Sequence, residues 1–355
     1  MNPMHHEALK SRSLRVLIAL AAAVWSGASG AAEPAVLALK PGEGWSSVFA
    51  DSEIKLHETL SGPVGTEVVV NWKLTVADRT VEQGQIAAVL GENGSQDAMF
   101  TLRNSNVKAG IAVAALLSVE LESTKQKLPP ARLEKPIWIF SREAFANRQV
   151  WLKALKIGVY DPGKSTIDTL EKEQLVLERR HKLPEPTEPA GTLIVGEGLA
   201  LEEHRTLFLQ LTELAAAGWK VILLAPASGS FPAVFGVKDL PPQSVSMRRN
   251  DVITELDKRL DATVWLGGVK PAFSRFEFVA HRGEVVAEIS NEPGAWPWLD
   301  VRYASGGRLI VCGFGIIDPW EKSPVPRYLL RRTLELLDNF DPHDNPLTHP
   351  PSKES

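Results

Sequence analysis

The sequence predicts two folded parts in tandem: an N-terminal β-sandwich, then an α/β doubly wound sheet of the flavodoxin-like kind. Three observations carry that expectation. Apolar residues alternate with period two through residues 36–140, strand and helix patterns alternate through 153–340, and a charged, proline-rich stretch separates them. With 355 residues, 44% hydrophobic and 23% charged, the chain has material for two cores. A net charge of −4, from 39 Lys+Arg against 43 Asp+Glu, gives no basic field for nucleic acid, whose binding starts with phosphate neutralisation. One cysteine, Cys312, excludes an internal disulfide and a cysteine-cluster zinc site.

Ahead of the sandwich, Lys10, Arg12 and Arg15 precede the apolar run Val16–Trp25, and small residues fill most of Ser26–Ala32. A basic start, a short apolar stretch and small residues at −3 and −1 (Ala28/Gly30 or Gly30/Ala32) predict a signal peptide over residues 1–32. The expected location is therefore periplasmic or extracellular. The apolar run falls short of the ~17 residues that a bilayer span needs, so no membrane span is expected after cleavage.

In the sandwich region, strands are expected around Ile54–Leu60, Val68–Val76, Met99–Leu102, Ile111–Leu121 and Ile137–Phe140. Ser61–Gly65 and Gly91–Ser95 supply turn chemistry between them. Lys125–Pro136 reads as a surface connection. Beyond it the predicted order is strand Leu155–Tyr160, helix Ser165–Arg180 with Ser165 and Asp168 in capping-box spacing, then strand Thr192–Gly196. Helix Leu201–Ala217, stopped by Gly218, leads to strand Trp219–Ala225. Helix Asp251–Leu260 precedes strand Ala262–Leu266. Phe276–Ala280 and Val285–Ile289 flank a hairpin signal at His281–Glu284. Strand Arg308–Cys312 and helix Tyr328–Phe340 close the fold, and residues 341–355 are polar enough to be disordered.

Gly158–Ser165 fits the phosphate-binding pattern G-x-x-x-x-G-K-[ST] letter for letter. Val159 and Tyr160 continue a strand, so Gly158 does not open a loop. The later strands end in Gly196-Glu197, Ala225-Pro226 and Leu266-Gly267, with no Asp to hold magnesium. The segment is instead expected to be a strand–turn–helix junction, with Ser165 as N-cap.

Four segments carry a family resemblance: Lys156–Gly163, Thr192–Glu197, Gly218–Leu224 and Gly306–Phe314, the last followed by Pro324 and a closing helix. Behind an exported sandwich, they resemble the class I glutamine amidotransferase-like fold. The likeness is to the degenerate form attached to sugar-binding sandwiches of bacterial glycoside hydrolase family 2-type proteins. Active amidotransferases place a nucleophilic Cys on a sharp turn after a central strand. The matching turn here, Ala225–Gly229, has none, so the resemblance implies the fold without glutaminase chemistry. Cys312 falls inside a strand, where a buried, inert thiol is expected.

Ligands of open α/β sheets bind at the carboxyl ends of the strands, which here bring Asp161, Glu197, Ser228 and Gly267 into consideration. Asp161 and Glu197 offer either a glycosidase-type carboxylate pair or a turn cap and a loop support. Ser228 lacks the G-x-S-x-G elbow because residue 226 is proline. His204 and His281 read as solvated. With no H-E-x-x-H or His/carboxylate cluster, neither metal nor cofactor is expected. Trp72 reads as core; Trp296, Trp298 and Trp320, placed in loops, either pack or stack on sugar rings. The expected function is that of an exported, non-catalytic binding or accessory protein whose partner is a carbohydrate or cell-envelope component. The alternatives are a glycoside hydrolase or esterase using Asp161 and Glu197, and a structural or protein-interaction module of the envelope.

Overall fold

Alternating burial organises the first 100 residues of the structure, a computed structural model that describes residues 36–103, 106–232, 234–237, 240–271, 276–279, 285–289 and 295–338. The expected signal peptide, the His281–Glu284 turn and the 341–355 tail lie outside the described residues. Eight strands come first: β1 (Ala38–Pro41), β2 (Ser47–Phe49), β3 (Glu53–Ser61), β4 (Glu67–Val76), β5 (Arg79–Val89), β6 (Ser95–Arg103), β7 (Ala112–Ser123) and β8 (Ala131–Phe140). They form a three-stranded sheet, β1-β3-β6, and a five-stranded sheet, β2-β8-β7-β4-β5. Every second residue points inward, as Ile54, Leu56 and Leu60 do in β3 and Val68, Val70, Trp72 and Leu74 in β4. One core joins both sheets, and Trp72 stacks on Phe100 of the facing sheet at 5.5 Å. Gly84 is the cross-strand partner of Trp72, where a Cβ would collide with the indole.

One sequence expectation fails here. Half of the stretch read as a surface connection is strand β8, which pairs with β7 from Ala131 onward. Pro136 is tolerated because β2 pairs only with Trp138–Phe140, so β8 has a free edge at the proline.

The remaining elements are α1 (Gln149–Leu155), β9 (Ile157–Tyr160), α2 (Ser165–Lys172), β10 (Leu177–Arg180), β11 (Thr192–Val195), α3 (Leu207–Ala216), β12 (Lys220–Leu224), β13 (Ser230–Pro232), β14 (Pro242–Arg248), α4 (Asp251–Leu256), β15 (Phe276–Val279), β16 (Val285–Ile289), β17 (Trp298–Tyr303), β18 (Arg308–Cys312) and α5 (Pro324–Asp338). A seven-stranded sheet runs β10-β9-β11-β12-β18-β17-β14, parallel from β10 to β18 and antiparallel thereafter. Both of its faces are buried. Leu193, Val195, Val221, Leu223, Leu309 and Val311 pack with α3, while Ile194, Ile222, Leu224 and Ile310 pack with α1, α2, α4 and α5. A small sheet, β13-β15-β16, lays Phe231 and Phe278 against Phe208 of α3.

Several boundaries differ from expectation. The helix expected over Ser165–Arg180 ends at Lys172. Gln174 takes a left-handed φ of 58°, and the chain returns as edge strand β10 beside β9. Ser165 is not the N-cap: Lys164 holds that position with φ 66° and makes no side-chain cap bond. The third helix begins at Leu207 rather than Leu201, and the fourth ends at Leu256. The expected strand Ala262–Leu266 is absent, and β17 lies beside β18 instead. The 261–269 segment seals one end of the sandwich. Asp261 accepts hydrogen bonds from the Ser46 and Ser47 amides, and Trp265 Nε1 donates to the Asp261 carbonyl at 2.8 Å. A bridge between Trp265 and Val269 folds the segment back on itself. The last helix starts at Pro324, since a proline in the first turn removes no intrahelical bond.

The chain leaving β8 is clamped to α5. Tyr328 Oη donates to Ser141 O at 3.0 Å, and Arg327 Nη1 to Arg142 O at 2.8 Å. The described residues belong to one compact unit. No helix among them is long and apolar enough to cross a membrane.

Candidate functional site

The chain order of the parallel strands reverses between β9 and β11, so the crevice of this sheet opens where those two strands end. Gly196 N donates to Tyr160 O at 2.9 Å, carrying the pairing one step past the strands and placing Asp161 and Glu197 at the switch point. Asp161 Oδ2 accepts from the amides of Thr166 (2.8 Å) and Ile167 (3.0 Å), so its carboxylate caps α2. Those are the amides a phosphate would need, and Gly158 lies inside β9; the letter-for-letter match at 158–165 is a capped strand–turn–helix junction. Residue 196 is glycine because a Cβ there would stand 2.5 Å from Asp161 Oδ1.

Glu197 performs a second tethering. Its amide donates to Thr166 Oγ1 at 2.9 Å. Its Oε2 accepts from Ile316 N (2.7 Å) and Ile317 N (2.9 Å), pinning the loop that follows β18. Burial pushes the Glu197 carboxyl up from its ordinary value, against the pull of those amides. Both carboxylates are thus buried and bonded to backbone. Asp161 Oδ1 is buried without a partner among the described residues.

The other candidates scatter. Ser228 is exposed and donates to the Glu202 carboxylate at 3.3 Å; its backbone forms a bridge with Ala200 rather than a nucleophile elbow. Trp296 is half-buried beneath the Arg249 guanidinium, 4.8 Å from the ring centroid. Trp298 is not in a loop: it starts β17 and is fully buried. Trp320 is buried as well, with Nε1 donating to Glu173 at 3.2 Å and Arg327 over its ring. Neither of these two indoles can present a face to a sugar. Cys312 is buried, and burial pushes its thiol up to about 12.

Next to the switch point lies a cleft of about 670 Å³, between the segment after β10 and the segment entering α3. Tyr160, at the tip of β9, forms part of its wall, with His181, Lys182, Glu202, His204 and Arg205 around it. Sequence reading missed this cleft for one reason. With Leu177–Arg180 taken as helix, residues 181–186 were not recognisable as a strand-end loop. No group of three or more His, Cys, Asp or Glu suited to a metal ion occurs among the described residues.

No family model matches the chain, and no curated protein matches it. Solved structures similar to parts of it include the sporulation control protein Spo0M of Bacillus subtilis: 10% identity, TM-score 0.26, covering 34% of this chain and 55% of that one. A cycloisomaltooligosaccharide glucanotransferase of Paenibacillus sp. shares 9% identity at TM-score 0.25, over 54% of this chain and 28% of that one. The Calx CBD1 domain, at 9% identity and TM-score 0.25, is covered over 97% of its length by 30% of this chain. The chain thus spans about half of Spo0M and under a third of the glucanotransferase, and likeness at these scores carries no argument about activity.

Proposed function

We propose that the protein is an exported, non-catalytic binding or accessory component of carbohydrate handling, with its second part a doubly wound, flavodoxin-like sheet of the degenerate amidotransferase-like kind. The observation that carries the non-catalytic reading is the fate of Asp161 and Glu197. A general acid or nucleophile must reach substrate, whereas these two carboxylates are buried and hold the amides of Thr166, Ile167, Ile316 and Ile317. The strand order 2-1-3-4-5, in order of appearance, supports the flavodoxin-like reading. The carbohydrate reading rests on the sequence resemblance and on a cleft whose mixed cations, carboxylates and Tyr160 suit a polyhydroxylated ligand. Export rests on the basic–apolar–small pattern of residues 1–32.

A glycan array run beside a chromogenic glycosidase and esterase panel tests this. Glycan binding without turnover, weakened by His204→Ala with Arg205→Ala, is the expected result. Turnover abolished by Asp161→Asn or Glu197→Gln would establish the hydrolase instead, for which the unpartnered Asp161 Oδ1 is the specific observation. Silence in both assays favours the structural module of the envelope. An N-terminus near residue 33 on the exported protein, read by mass spectrometry, tests localisation.

A further inference from the structure

The outer face of the three-stranded sheet carries an imidazole fixed in one orientation. His57 of β3 is 56% exposed, yet its Nδ1 lies 2.6 Å from Oε1 of the largely buried Glu43. The same carboxylate accepts from the His57 amide at 2.9 Å, and Gly42 N donates to His57 O at 2.8 Å. Residue 42 is glycine because a Cβ there would stand 2.6 Å from His57 O. That close approach brings Glu43 onto the imidazole. In the neutral ring, an Nδ1–H given to this carboxylate leaves the lone pair on Nε2. Nε2 makes no hydrogen bond among the described residues, so an exposed and oriented donor atom stands ready for a ligand.

Met99 of β6 stands directly opposite His57 in the strand register and is 54% exposed. His57 spends both its backbone groups on the Gly42–Glu43 side, so it meets Met99 as a non-hydrogen-bonded pair, the kind whose side chains lie closer. Directly opposed Cβ atoms are about 4.5–5.5 Å apart, and the rotatable bonds of Met99 let its thioether reach an ion held on Nε2. A soft thioether beside an imidazole selects Cu(I). A carboxylate on the other ring nitrogen is the partner that metal-bound histidines ordinarily have. The surrounding groups point to the same ion. Lys40 and Lys55 on this face are offset by Glu43 and Asp97, and Asp97 Oδ1 accepts from Thr59 Oγ1 at 3.0 Å. Glu53 and Arg103 pair with each other at 3.8 Å. No surplus negative field remains for a hard divalent ion. Zn(II) wants at least three protein ligands, and no group of three or more His, Cys, Asp or Glu suited to a metal occurs among the described residues. Cu(I), monovalent and content with two soft ligands, is the ion that fits.

We propose that His57 Nε2 and Met99 Sδ together bind Cu(I), with Glu43 as the positioning residue. Anaerobic titration of the full exported chain with Cu(I) against the chromophoric chelator bicinchoninate tests it, with Ag(I) as a redox-inert stand-in. One equivalent of either ion is expected at this pair, with nitrogen and sulfur neighbours in the X-ray absorption of the bound metal. His57→Asn and Met99→Leu should each weaken that equivalent roughly tenfold or more without moving the Tm, because both side chains are exposed. Glu43→Ala should cost about tenfold in affinity, and Glu43→Gln, which keeps an acceptor for Nδ1–H, should recover it. Cys312→Ser should bind as the parent does, since that thiol is buried. Absence of this equivalent, binding indifferent to both His57→Asn and Met99→Leu, or loss with only one of the two overturns the proposal. The cleft shares no residue with this pair, so glycan binding there stands or falls separately.

Discussion

The two large sheets of this molecule use their surfaces in opposite ways. The seven-stranded sheet buries both faces, so chemistry is confined to the carboxyl edge of its strands, and there Asp161 and Glu197 are committed to holding loops. The five-stranded sheet buries one face and leaves the other as a broad register-aligned array of hydrogen-bonding groups. A chemically rich sequence position is therefore not the same thing as an available one. Strand-end carboxylates look open to substrate and are bonded to backbone amides, while Gln83 and Gln85 make no side-chain hydrogen bond among the described residues.

The sharpest way to break this contrast is inside the buried sheet. Arg308 of β18 donates through Nε to Asp300 Oδ1 of β17 at 2.7 Å and through Nη1 to Leu336 O at 2.8 Å, with little solvent near Arg308 or Asp300. Asp300→Ala strands a buried guanidinium and should cost about 3–5 kcal/mol in urea unfolding. A loss under 1 kcal/mol would mean that the sheet around β17 and β18 is far wetter than its burial indicates.

The sandwich has a buried charge of its own. Glu58 points into the core from β3 with neither carboxylate oxygen hydrogen-bonded among the described residues, and burial pushes its carboxyl up from 4.5 to about 7, with Lys135 pulling it down and Glu43 pushing it up. The native state therefore holds this proton more tightly than the unfolded chain. Its contribution is fully present below pH 4.5 and is lost as pH rises through about 7. Glu58→Gln should flatten that fall and raise stability at pH 8 by on the order of 2–3 kcal/mol. Equal pH profiles for the two proteins, followed by thermal unfolding, would refute this account.

Smaller effects sharpen the comparison at the two surfaces. Asp161→Ala removes the cap of α2 and should cost about 0.5–2 kcal/mol, which chemical denaturation can measure. Gln85→Ala, on the open face, should stay within about 0.5 kcal/mol of the parent in the same experiment. Cys312 should resist thiol reagents in the native state and react on unfolding; rapid native labelling would show that the sheet opens at the carboxyl end of β18.

How much was legible follows from the range of each signal. Period-two burial in β3, β4 and β7, the positions of β9, β11, β12 and β18, and the burial of Cys312 within its strand are local matters. Each depends on side chains one or two residues apart along a strand, so the sequence by itself determined them. Tertiary structure alone decided the rest. Leu177–Arg180 has a helical neighbour and no strong period, and only the free edge of β9 makes it a strand. Trp298 and Trp320 sit between prolines, glycines and charges that read as loops, and only the cores they fill show them to be buried. Asp161 and Glu197 are bonded to backbone because amides from residues 316 and 317, over a hundred positions away, converge on Glu197 while the first turn of α2 claims Asp161. Gln83, Gln85 and Asn71 on β5 and β4 fall into rows with β7 and β8 only through strand register. Pairing between distant strands depends on how the whole sheet closes, and no local window of sequence contains that information.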